Sequence, residues 1–170
     1  MTESADLLVT QIPRLRRYAR ALTGDASRAD DLVQDCLVRA LSRLKLWKPG
    51  TDMRAWLFTI MHNLFVSECR QNSKQPDIAA FTTCYVPGPY DNADTDVRLS
   101  ELQSGLQQLV PEQREVLLLV SIEGLSYREV AAVLGIPGGT VMSRLHRGRQ
   151  ELRKQLSGKP RTASGLRSVK

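Results

Sequence analysis

Thr140, Ser143, His146, Arg147 and Gln150 are side chains able to hydrogen-bond the edges of bases, and they recur at helical spacing together with Met142. Arg144, Arg149, Arg153 and Lys154 flank them and are long enough to reach phosphates. The chemistry implied is recognition of a nucleic-acid groove, not bond making. Between Ser126 and Arg161 there are eight Lys/Arg against two Glu, whereas Met1–Leu125 carries fourteen against sixteen. The excess positive charge therefore sits in one C-terminal segment, the footprint of a polyanion-binding module.

That face needs a scaffold, and the preceding residues supply one. In SYREVAAVLGIPGGTVMSRLHRGRQEL, Ser126 and Glu129 form a capping box that opens a short helix. Ala131 is small where a second helix must cross closely, and Gly135, four residues later, suits a turn with positive φ. Val141, Leu145 and Leu152 return the second helix to a core. This spacing is that of a helix-turn-helix. A membrane-surface helix is disfavoured, because the apolar face is used by the domain itself.

Catalysis is not indicated. His62 and His146 fall in different domains, the adjacent Asp30 and Asp31 point to different helix faces, and GIPGG lacks the Lys-Ser/Thr of a nucleotide-binding loop. Cys36, Cys69 and Cys84 lie far apart without ligand spacing, which predicts a reducing cytosol and no metal site or other cofactor. The densest apolar run, Val116–Val120, is too short to span a bilayer, and the N-terminus is not a secretory signal, so a soluble cytoplasmic protein is expected.

Periodicity is helical nearly throughout, and an all-α fold of two small domains is predicted. Ile12, Leu15, Tyr18, Ala19 and Leu22 mark a first helix closed by Gly24. Ser27 with Asp30 resembles a capping box for a second helix, whose inward face is Leu32, Val33, Cys36, Leu37, Ala40, Leu41 and Leu44. After a Pro49-Gly50 loop, a third helix starts near Asp52, with Trp56, Leu57, Ile60, Met61 and Leu64 inward. The spacing of Trp56 assigns it to the core, not to an exposed stacking wedge. Residues 75–96 carry three prolines, one glycine, four aspartates and no basic residue, and read as a flexible acidic linker. The second domain, 97–156, opens on Leu99, Leu102, Leu106 and Leu109. Pro111 then starts a helix with Val116, Leu117, Leu119 and Val120 in the core. Residues 157–170 are predicted to be a disordered basic tail.

Three stretches, ADDLVQDCLVRAL (29–41), DMRAWLFTIMHNLFVSECR (52–70) and LVPEQREVLLLVSIEGLSYREVAAVLGIPGGTVMSRLHRGRQEL (109–152), resemble the extracytoplasmic-function sigma factors in the same order and spacing. These are small bacterial initiation factors of the sigma-70 family with a promoter-melting domain, a linker and a helix-turn-helix domain. The resemblance implies that residues 7–74 form the first of these and 97–156 the second. It assigns Asp31, Gln34 and Asp35 to docking on the clamp of the largest subunit of core RNA polymerase, and implies contact with the flap of the second subunit. Lys45, Lys48, Arg54, His62 and Asn63 fall to the −10 element, and Thr140, Met142, Ser143, Arg144, His146 and Arg147 to the −35 element. It further implies a linker that threads the polymerase channels, an anti-sigma factor as partner and a stress- or signal-responsive regulon. PGTDMRAWLFTIMHNLF is similar to alphaproteobacterial members, including those of the general stress response. Met142 and Gly148 depart from the family, which commonly has a basic residue and alanine there. A sigma-like decoy that binds only an anti-sigma factor loses the basic recognition face, which Arg144, Arg147 and Arg149 keep here.

Overall fold

The computed structural model describes residues 2–73 and 93–157. Residue 1, residues 74–92, which include most of the expected linker and Cys84, and the residues of the expected tail from 158 lie outside the described residues. Among the described residues, seven α-helices order as α1 (Thr2–Thr23), α2 (Ala26–Ser42), α3 (Met53–Ser73), α4 (Ala93–Gln108), α5 (Pro111–Ser121), α6 (Tyr127–Leu134) and α7 (Gly138–Ser157), with a 3-10 turn at Leu44–Leu46. No strand occurs among the described residues. α4 starts at Ala93, inside the stretch expected to be linker.

Leu15, Tyr18, Ala19 and Leu22 of α1 are buried as their stripe predicts, while Ile12 is half-buried. The cap of α2 differs from expectation: Asp25, not Ser27, accepts the Arg28 amide at 2.7 Å, so the helix begins earlier. Tyr18 and Phe58 pack edge to face with centroids 4.9 Å apart, joining α1 to α3. Arg28 of α2 clasps Glu68 Oε1 of α3 through Nε (3.0 Å) and Nη2 (2.8 Å). Trp47 folds back and is buried, whereas Trp56 is only half-buried.

In the second group, α5 is enclosed on all sides: Arg114 to Leu119 are consecutively buried. Pro111 sits in its first turn. The capping box forms as predicted: Glu129 Oε2 accepts the Ser126 amide at 2.7 Å and the Ser126 hydroxyl at 2.6 Å. Gly135 ends α6 in the left-handed region, φ +63°, where other residues are strained.

Several apolar positions expected inside are outside. Leu41 is 55 % exposed on α2, and Leu99 and Leu102 are 52 % and 38 % exposed on α4. Val120 is half-buried. Conversely Phe58, Phe65 and Leu118 are buried off the predicted stripes.

The two groups pack together, α1 against α4 and α5, and α3 against α6. Arg114 is the pivot of this seam. Its guanidinium donates to the carbonyls of Leu106 (2.7 Å), Gln107 (2.9 Å) and Leu109 (2.9 Å) at the end of α4. It also donates to Leu22 O (2.7 Å) at the end of α1. One side chain thus satisfies carbonyls that two helix C-termini leave without intrahelical partners.

Candidate nucleic-acid and polymerase interface

α7 divides along its length. Val141, Leu145 and Gly148 are buried against α5 and α6, and Leu152 packs half-buried behind them. A Cβ at Gly148 would lie 3.4 Å from both Cβ and O of Gln113 and 3.6 Å from Leu117 Cδ1. Gly148 marks the crossing of α5 and α7, which leaves room for at most a methyl group.

The opposite side of α7 is open. Met142 is 58 % exposed, Ser143, His146, Arg147 and Gln150 are exposed, and Thr140 and Arg144 are half-buried. Ser143 Oγ donates to Thr140 O at 3.1 Å, which ties its hydroxyl to the first turn. The helix-turn-helix therefore presents the predicted side chains together, with an apolar thioether among polar and cationic groups.

On α2, Asp31, Gln34 and Asp35 are all exposed. Val38 (67 %) and Leu41 (55 %) continue the same helical face. A carboxylate-and-amide patch followed by two uncovered aliphatic side chains has the mixed character of a protein-docking surface. Sequence periodicity placed Leu41 inward because it continues the buried stripe within one turn.

The residues assigned to the −10 element divide. Lys45, Lys48 and Asn63 are exposed. Arg54 and His62 instead face the second group of helices. Arg54 Nη1 donates to Glu123 O at 3.0 Å and its Nη2 lies 3.5 Å from Asp52 Oδ2. His62 Nδ1 is 2.8 Å from Glu115 Oε1. Glu115 and Glu123 are each 3 % exposed, and Arg17 Nη2 donates to Glu123 Oε1 at 3.0 Å. These carboxylates and Arg114 were not singled out from the sequence.

Among the described residues no group of three or more His, Cys, Asp or Glu side chains is placed to hold a metal ion. Cys36 is buried, its thiol pushed up to about 12 by burial, and behaves as a small apolar residue. No described helix is long and apolar enough to cross a membrane.

Two family models match the chain: the sigma2 domain of PhyR over residues 8–62 and sigma-70 region 4 over residues 99–152. The chain is 37% identical to the ECF RNA polymerase sigma factor EcfG of Rhodopseudomonas palustris, across 86% of this chain and 81% of that protein. It is 40% identical to the ECF RNA polymerase sigma factor SigE of Mycolicibacterium smegmatis, across 91% of this chain and 62% of that protein. The sigma factor RpoE of Bartonella quintana, solved in complex with the anti-sigma factor NepR, superposes with a TM-score of 0.82 at 30% identity, covering 94% of this chain and all of that one. The chain belongs to the extracytoplasmic-function RNA polymerase sigma factors.

Proposed function

We propose that this chain binds core RNA polymerase, reads −35 and −10 promoter elements and starts transcription of a stress- or signal-responsive regulon, acting in the cytoplasm as an initiation factor and not as an enzyme. The observation that carries this reading is the two-sidedness of α7: Val141, Leu145 and Gly148 are inside while Ser143, His146 and Arg147 are outside. A helix so anchored presents its first turns to a major groove. A decoy that captures only an anti-sigma factor has no use for that exposed basic face.

Residue roles follow from chemistry. Arg147 and His146 reach base edges, Ser143 and Thr140 approach the backbone or bases at the helix start, and Arg144 neutralises phosphate. Met142 offers no hydrogen bond, and its exposed thioether suits the 5-methyl group of thymine. On the first domain, taken as residues 7–74, Lys45 and Lys48 meet phosphates and Asn63 approaches the unpaired non-template strand. Asp31, Gln34 and Asp35 dock on the polymerase clamp, with Val38 and Leu41 adding apolar contact. The helix-turn-helix domain meets the polymerase flap. The likeness to a sigma factor solved with its anti-sigma factor supports an anti-sigma factor as a further partner.

Gel filtration of the chain with purified core polymerase tests the docking assignment. Wild type co-elutes with core, and a D31A/Q34A/D35A variant elutes separately while keeping its helicity. Co-elution of both would remove those residues from the interface.

A further inference from the structure

Residues 36–51 include Arg39, Arg43, Lys45 and Lys48 and no Asp or Glu, and all four cations are exposed. Among them stands Leu46, 75 % exposed, more than any other large apolar side chain of the described residues. Its position is fixed by the backbone. Leu46 N donates to Arg43 O at 2.8 Å and Trp47 N to Leu44 O at 3.2 Å, so Leu46 stands on a closed 3-10 turn. The next side chain, Trp47, is buried in the core and pins that turn from beneath. Beyond it, Thr51 returns to Lys48 O through its amide (3.1 Å) and its hydroxyl (2.7 Å).

We propose that Leu46 is a wedge that enters between neighbouring bases of the −10 element and holds them unstacked, while Lys45 and Lys48 grip the phosphates on either side. The inference rests on the assignment of Lys45, Lys48 and Asn63 to −10 DNA.

Holding the turn does not require leucine at position 46, because backbone hydrogen bonds and Trp47 already do so. The surrounding cations draw a polyanion, and an aliphatic side chain in their midst meets whatever lies between its phosphates. Val38 and Leu41 differ, since they continue the face of Asp31, Gln34 and Asp35 on α2 and suit a protein partner. Leucine is among the side chains that insert at a base step, unstack it and kink the duplex, and the contacts made to the deformed strands offset the cost. Trp47 is buried and Trp56 half-buried, so neither indole stands as far out of the fold to do this. A wedge also has to resist being pushed back. The closed turn and the buried indole beneath it supply that resistance.

The test uses the full chain with purified core polymerase and a duplex promoter found by transcription of genomic templates with wild type. A second template carries a mismatched bubble across the −10 element, so that its strands are already apart. Permanganate reactivity of thymines reports opening, and gel filtration reports docking on core. L46A should slow opening of the duplex about tenfold, because the truncation removes most of an aliphatic side chain that is buried only once the bases part. The same variant should transcribe the bubble template like wild type and co-elute with core. L46M, which keeps the length and apolar character, should restore opening of the duplex. The proposal is overturned if L46A opens the duplex at the wild-type rate, or if its loss is as large on the bubble template. Loss of co-elution by L46A would overturn it in favour of a polymerase contact. Wild type that starts on no genomic template would instead sink the initiation reading, and this inference with it.

Discussion

His62 Nδ1 on α3 lies 2.8 Å from Glu115 Oε1 on α5, a contact between residues 53 apart in sequence with both side chains largely out of water. It makes one hydrogen bond that joins the first group of helices to the helix-turn-helix group. A glutamine in place of Glu115 keeps an acceptor for a neutral imidazole N–H, whereas alanine leaves the ring nitrogen without one. E115Q is therefore expected to cost under about 1 kcal/mol and E115A about 2 kcal/mol in urea unfolding, because the larger penalty is that of a buried group left unsatisfied. Equal losses would show that the ion pair, not the hydrogen bond, carries the contact.

The crossing at Gly148 sets a size limit. An alanine methyl would sit at ordinary van der Waals distance from Gln113, and alanine favours a helix over glycine by about 1 kcal/mol. G148A should keep or slightly raise the melting temperature. G148V should lower stability by about 1–3 kcal/mol through overpacking, with α7 displaced from α5. Thermal melts followed by circular dichroism distinguish the two, and a neutral valine variant would mean that the helices part more easily than their packing implies.

The Ser126–Glu129 box predicts a pH signature. The Ser126 hydroxyl first, and its amide second, hold the Glu129 carboxyl below its ordinary range. A carboxyl with a depressed folded-state value stabilises the protein above the ordinary glutamate range and loses that contribution as pH falls through the depressed value. NMR titration of the side-chain carboxyl should find Glu129 the more acidic for its cap, and S126A should move it upward. The variant should lose about 1 kcal/mol near neutral pH and less at acid pH, where the box is already protonated.

Met142 makes a prediction in the DNA. If its thioether meets a thymine methyl, replacing thymine by uracil in the −35 element should weaken promoter binding by the wild type at one position. M142A should bind both templates alike. A uracil effect of equal size in M142A would place the methyl contact on another residue.

What the sequence disclosed depended on how local the determinant is. Ser126, Glu129, Gly135 and Val141 lie within sixteen residues and act through backbone rules, so the helix-turn-helix was legible down to its cap and turn. The cap of α2 was misplaced because Asp25 and Ser27 both satisfy the pattern, and only the position of the first turn decides between them. Leu41, Leu99 and Leu102 obey helical periodicity yet are exposed. Periodicity tells that a face is apolar, not whether its neighbour is the same chain. Arg114, Glu115 and Glu123 were invisible for the complementary reason. Their partners, Leu22, His62 and Arg17, stand 92, 53 and 106 residues away, and no local pattern encodes such pairings.

Run-off transcription with purified core polymerase on genomic templates measures promoter-specific initiation through two separate DNA surfaces. Wild type should yield discrete transcripts from heparin-resistant complexes. R147A should fail mainly at −35 binding, while N63A should still bind but open poorly. Absence of any discrete start with normal binding to an anti-sigma partner, or full activity of both variants, would contradict initiation through these two surfaces.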